Sequence, residues 1–262
     1  MSSTHHRTWQ QFHVGHLNVT VQLDSTADDR SVERRQELAT VARQLITTMD
    51  RGRIPTTWAV NDPAYSAATS LILKSAVEHE IALLGHASWV GPTAGRTRFA
   101  RELARRIAQA RCAGLDVTTF APGVASVEGQ IDLVVKQAIT AIAGLKNSVR
   151  TSEGARALHY HVWEVPVTSV LPTKAGWFNR ARRGVFRRIE RSASEAGAFH
   201  LLIDATAFAA DDGDQRIVNW LIDRVATLRD RGLVQIETLA KTAARLSDVP
   251  AVSPQRSILR VA

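Results

Sequence analysis

Apolar and polar positions along the chain alternate between a period of two and a period near 3.6. The stretch "LNVTVQLD" (17–24) alternates and is rich in β-branched side chains, which predicts a strand. The next run, "SVERRQELATVARQLITTMDRG" (31–52), sets Leu38, Val41, Leu45 and Ile46 at helical spacing and stops at Gly52. The pair then repeats: "PTTWAVND" (55–62) reads as a strand and 64–78 as a proline-led helix. "EIALLG" (80–85) is a short apolar run suited to a buried parallel strand, and "RTRFARELARRIAQARCAG" (96–114) is a periodic helix closed by Gly114. Further strands are expected at "VTTFAPG", "AITAIAG", "HYHVWEVPV", "FHLLIDA" and "LVQIETL". Helices are expected at 127–136, 177–191 and 215–231 and from the last strand to Leu246, with a polar loop over 146–156.

About seven parallel strands separated largely by helices give an α/β fold, as an open doubly wound sheet or as a barrel. No Gly-rich turn follows the first strand, which tells against a dinucleotide fold, and the barrel is the preferred reading. In such a barrel the chemistry sits where strands end, because the loops there surround one cavity. The polar residues at strand ends are Asp24, Asn61 with Asp62, His86, Glu164, Asp204 and Glu237, with Pro122, Gly123 and Gly144 beside them.

Composition narrows the picture. The 262 residues are 45% hydrophobic and 22% charged, within the range of one globular domain with a sizeable core. The lone cysteine, Cys112, excludes disulfide scaffolds and thiolate metal sites. The segment "MSSTHHRTWQQFHVGH" has no apolar leader core and no stretch reaches a membrane span, so a cytoplasmic location and no membrane partner are expected. Residues 1–16 and 247–262 read as tails around a single unit at 17–246.

The formal charge of +8 is concentrated. "WFNRARRGVFRRIER" carries Arg180, Arg182, Arg183, Arg187, Arg188 and Arg191, with Phe178, Val185, Phe186 and Ile189 as its apolar positions. It reads as a basic amphipathic helix: either a solvated outer face, with arginine stems over apolar neighbours, or a site for a polyanion. No nucleic-acid motif and no interleaved aromatics accompany it in the sequence. "ADDGDQR" (210–216) lacks the later glutamate of a calcium loop and reads as a helix start.

Six segments, in order and at matching spacing, resemble the polysaccharide deacetylases, the family of the NodB homology domain or carbohydrate esterase family four. They are "VTVQLDST", "RIPTTWAVND", "EHEIALLGHAS", "CAGLDVTTFAPGV", "WEVPVTS" and "GAFHLLIDATAF". The resemblance implies a single deformed (β/α) barrel and, in active members, a divalent metal held by one aspartate and two histidines. Metal-bound water then attacks an N-acetyl carbonyl, with a second aspartate as base and a late-strand histidine as acid. Carried onto this chain, the base position is Asp24, but the metal positions are Ser25, Leu84 and Ser88. The arginine position is Ala121 and the acid position is Asp204. A register moved by two residues brings in His86 but puts Val90 in the second histidine position.

The resemblance therefore implies a degenerate deacetylase that binds a saccharide or a partner at the barrel mouth, with no cofactor. Asp24 and Asp204 are the candidate catalytic residues, and His86, Trp89 and Asp62 the candidate substrate contacts, Trp89 as a sugar platform. The competing reading makes His86 a hydrogen-bonded strand end and Trp89 packing. The alternative function is an active hydrolase of N-acetyl C–N bonds with a rearranged site. It would use Asp24 and Asp204 as base and acid, or zinc on Asp24, Asp62, His86 and Asp204. His159 and His161, on one face of a strand, are a weaker metal pair without a third ligand.

Overall fold

The computed structural model describes residues 14–23, 32–91, 93–145, 154–172, 179–210 and 215–248. Asp24 and Ser25, residues 1–13 and 249–262, and residues 211–214 of "ADDGDQR" lie outside the described residues. So do the side chains of Arg180 and Arg182.

The elements in chain order are β1 (Gly15–Gln22), α1 (Val32–Gly52), β2 (Thr57–Val60), α2 (Ala67–Leu73), β3 (Glu80–Leu84), α3 (Ala87–Val90) and α4 (Gly95–Cys112). They continue as β4 (Thr119–Ala121), α5 (Ile131–Val135), β5 (Ala141–Ala143), β6 (Arg156–Ala157), β7 (Trp163–Val165) and β8 (Ser169–Val170). The last are α6 (Asn179–Ser194), β9 (Ala198–Asp204), α7 (Ala205–Ala210), α8 (Gln215–Asp230), β10 (Val234–Glu237) and α9 (Leu239–Asp248). Among the described residues, no helix is long and apolar enough to cross a membrane.

One mostly parallel sheet runs in the order β6, β7, β5, β4, β3, β2, β1, β9, β8, with β6 antiparallel to β7. It curls into a half-barrel with edges at β6 and β8, in line with the expected α/β barrel. β10 lies outside this simple order. It pairs Gly15 to Asn18 of β1 in parallel, while β2 pairs Thr20 to Gln22 on the same side, so β1 is shared by two neighbours in succession.

The period-two pattern of β1 separates two buried faces. Leu17, Val19 and Val21 join the large core under the helices, where Leu45, Met49 and Leu221 also pack. His16, Asn18, Thr20 and Gln22 face the concave side and are also buried. On that side the other strands carry small residues: Ala59, Ala82, Ala121, Ala141 and Ala143. Their short side chains leave room for α9, whose Leu239 and Ala243 complete this second cluster with Leu84, Trp163 and Val165.

Two expectations need correction. The helix over 64–78 shrinks to α2: Ser66 caps its start, and beyond Lys74 the side chains of Ser75 and His79 bond Asp50 of α1, at 2.5 and 3.0 Å. These bonds hold 75–79 out of helical geometry. The strand over "HYHVWEVPV" begins only at Trp163, because 159–161 form a 3₁₀ turn with Tyr160 and His161 at positive φ. His159 and His161 therefore do not share a strand face, and both are exposed.

Candidate functional site

The barrel mouth is built from the last residues of the parallel strands. Gln22 of β1 pairs in register with Asp204 of β9, and both are buried on the concave side. Beside them, Leu84 at the end of β3 pairs with Ala121 of β4. Leu84 is buried within the alanine-lined cluster, so an apolar side chain holds the position that the resemblance assigns to a histidine ligand.

His86 follows Gly85 and caps α3. Its Nδ1 accepts from the Ser88 amide at 3.1 Å and lies 2.8 Å from the Ser88 hydroxyl, which takes up the second presumptive ligand position as well. Asp204 caps α7 in the same way. Its Oδ1 accepts from the Thr206 hydroxyl at 2.6 Å and from the amides of Thr206 and Ala207 at 3.1 and 3.4 Å. Leu84 and Ser88 thus do not fit a divalent cation, the one lacking a donor atom and the other offering only a neutral hydroxyl bonded to His86. Among the described residues, no group of three or more His, Cys, Asp or Glu side chains is placed to hold a metal.

Two of the candidate substrate contacts belong to packing. Trp89 is 1% exposed and lies between Phe99 and Phe120, at ring separations of 5.7 and 5.8 Å. It sits under α4 and cannot serve as a sugar platform. Asp62 has Oδ2 3.6 Å from the Arg106 guanidinium, which also donates to the Asn61 carbonyl at 2.6 Å and stands over the Trp89 ring at 5.5 Å. Arg106 had no visible role in the sequence, being one of many arginines in the α4 pattern. The structure makes it the tie between the end of β2 and α4.

Glu164 and Glu237 are not mouth residues either. Glu164 pairs with Arg156, which also reaches Glu128. Glu237 stands opposite Asn18, halfway along β1, because β10 pairs only with the first half of that strand.

The interior below the mouth holds a polar layer that the sequence pattern did not reveal. The Thr20 hydroxyl lies 2.8 Å from His200 Nε2, and His200 Nδ1 lies 3.0 Å from the Val165 carbonyl. Since a carbonyl only accepts, Nδ1 carries the proton and Nε2 accepts from Thr20. Burial brings the His200 pKa down to about 4, against smaller opposing pulls from the Val165 and Pro166 backbone. Deeper in, Asn18 donates to the Glu237 carbonyl and to Thr242, both at 2.8 Å, and Arg245 pairs with Glu237 at 3.0 Å. His16, 3.8 Å from Glu237, is also brought to about 4, first by burial, then by the Arg245 charge, with Glu237 opposing.

Glu80, at the start of β3, closes this layer. Its Oε2 accepts from the Thr57 hydroxyl at 2.7 Å and from the Ala240 amide at 3.1 Å, while Thr57 Oγ1 accepts the Leu239 amide at 3.0 Å. Two strand side chains thereby satisfy the first amides of α9. Burial pushes the Glu80 carboxyl above the usual range, against the bonds from Thr119, Thr57 and the α9 amides.

No family model matches the chain, and no curated protein matches it. Solved structures do. A Mycobacterium smegmatis protein assigned as a polysaccharide deacetylase superposes with a TM-score of 0.65 at 17% identity, covering 90% of this chain and 91% of the other. PuuE allantoinase gives 0.60 at 9% identity, covering 89% and 90%. A 4-α-glucanotransferase from Thermococcus litoralis gives 0.61 at 9% identity, and there this chain spans 88% of its own length but 40% of the other. At such identities the likeness concerns the fold: the chain is a curled, mostly parallel α/β half-barrel of the kind that the deacetylase and allantoinase structures share.

Proposed function

We propose that the protein is a deacetylase-like barrel that has given up metal-dependent hydrolysis and binds a saccharide or a partner at its mouth. The observation that carries this reading is Leu84, a buried apolar side chain in one cluster with Ala59, Ala82 and Ala121 where the resemblance calls for a ligand. The caps made by His86 Nδ1 and Asp204 Oδ1 accord with it, since both side chains are engaged in holding helix starts.

The test is a pair of measurements on the full chain. Titration calorimetry with N-acetylglucosamine oligomers should give saturable heat, and acetate release from the same oligomers should stay at background with or without added zinc. Acetate release that requires zinc or cobalt and stops with chelator overturns the proposal in favour of a rearranged hydrolase.

A further inference from the structure

Helices α6 and α8 bring together, on the outer layer, residues that the sequence keeps apart. The rings of Phe186 on α6 and Trp220 on α8 meet edge to face, 5.5 Å between centroids and 68° between planes. Trp220 keeps 38% of its surface exposed, and the Arg224 guanidinium stands over its ring at 6.0 Å. Arg216 and Arg224 lie one turn before and one turn after Trp220 on the exposed face of α8. Alongside, α6 exposes Arg183, Arg187, Arg188 and Arg191.

None of these six arginines has a carboxylate within ion-pair distance among the described residues; Arg43, Arg53, Arg98, Arg111 and Arg231 are exposed and unpaired in the same sense, so what sets the six apart is their crowding on two adjacent helices. The acidic groups on the same elements do not cancel the field. Asp223 is held by Arg51 and Asp230 by Arg229, which leaves Glu190 on α6 and Glu195 just past its end.

We propose that this surface, separate from the barrel mouth, binds single-stranded nucleic acid. An exposed indole beside the Arg224 guanidinium, with Arg216 one turn away, offers a stacking partner for a base, and arginine forks match phosphate oxygens bidentately. Side chains four residues apart on a helix are about 6 Å apart along its axis, close to the spacing of successive phosphates on an extended strand. A duplex would offer its phosphates to the same arginines, but its paired and stacked bases leave no free face for the indole. An acidic polysaccharide would use the charge but lacks aromatic bases to stack on the Trp–Arg pair.

Fluorescence anisotropy with a labelled oligo-dT of about 20 nucleotides, over a salt series starting near 50 mM, tests this. Trp220→Leu should weaken binding by roughly 5- to 100-fold, and Trp220→Phe should restore most of it. Changing Arg183, Arg187, Arg216 and Arg224 together to Gln should lower the salt slope by about 0.7 per lost phosphate contact. Circular dichroism and melting of each variant establish that the barrel is intact. Failure of the wild type to bind oligo-dT saturably at the lowest salt overturns the proposal. So does Trp220→Leu binding as well as wild type, or heparin and duplex DNA being held as tightly as oligo-dT, either of which marks bulk charge alone.

Discussion

The Thr20 hydroxyl and His200 Nε2 lie 2.8 Å apart in the barrel interior, joining two neighbouring strands through a buried, neutral imidazole. Protonating His200 would place a charge in this buried layer, which desolvation opposes. His200 and His16 both have pKa values of about 4, below the ordinary 6.5, so the unfolded chain binds more protons than the folded one between those values. Stability is full above about pH 6.5 and falls as pH drops toward 4, by on the order of a few kcal/mol per histidine. Urea unfolding at pH 7.5, 6 and 5 should show this decline, and His200→Gln should flatten it.

Glu80 is costly as a charge and useful as a cap. Glu80→Gln keeps an oxygen for the Thr57 hydroxyl and the Ala240 amide while removing a buried carboxylate, so at pH 7 its stability should equal or exceed that of the wild type. Glu80→Ala leaves the α9 amide without its partner and should cost about 1–2 kcal/mol. Denaturant midpoints for both variants check the pair.

Trp89→Ala should act on stability rather than on ligand binding. The ring is enclosed by Phe99 and Phe120, and its removal should cost roughly 3–5 kcal/mol. Any saccharide bound at the mouth should keep its affinity, measured by titration at a temperature where the variant remains folded.

Two glycines predict opposite signs. A Cβ on Gly144 would stand 2.6 Å from Pro166 Cα and 2.8 Å from Val167 N, both backbone, so Gly144→Ala should cost about 1–3 kcal/mol by forcing β5 and the segment after β7 apart. Gly184, inside α6, has nothing within 4 Å of the same position, and Gly184→Ala should gain roughly 0.5–1 kcal/mol. Thermal melts of the two variants should move in opposite directions.

The barrel was legible in the sequence because its longest signals are local. Leu17, Val19 and Val21 alternate, and Phe99, Leu103 and Ile107 recur at helical spacing, whatever lies around them. What escaped was set at a distance. Ser75 and His79 leave the helical pattern because Asp50 of another element binds them. Glu237 falls short of the mouth because β10 pairs with only half of β1, a register no local period encodes. In the site, Leu84 and Ser88 could be read directly as poor ligands, but the caps made by His86 and Asp204 depend on where the next helix starts. Trp89 was ambiguous because loop and core positions look alike four residues past a strand.

The shared position of β1 also orders events in time. Its partners are β9 on one side and β2 with β10 on the other, and the Asn18 contact with Glu237 spans 219 positions. The central strand of the sheet is thus made early and completed late: β2 can cover its second half soon after synthesis, but the β9 edge and the β10 half wait for nearly the whole chain to emerge. Long-range pairing of this kind slows folding and leaves a nascent edge for unintended partners. Chaperone dependence during synthesis, more than fragility once folded, is the vulnerability this topology builds in.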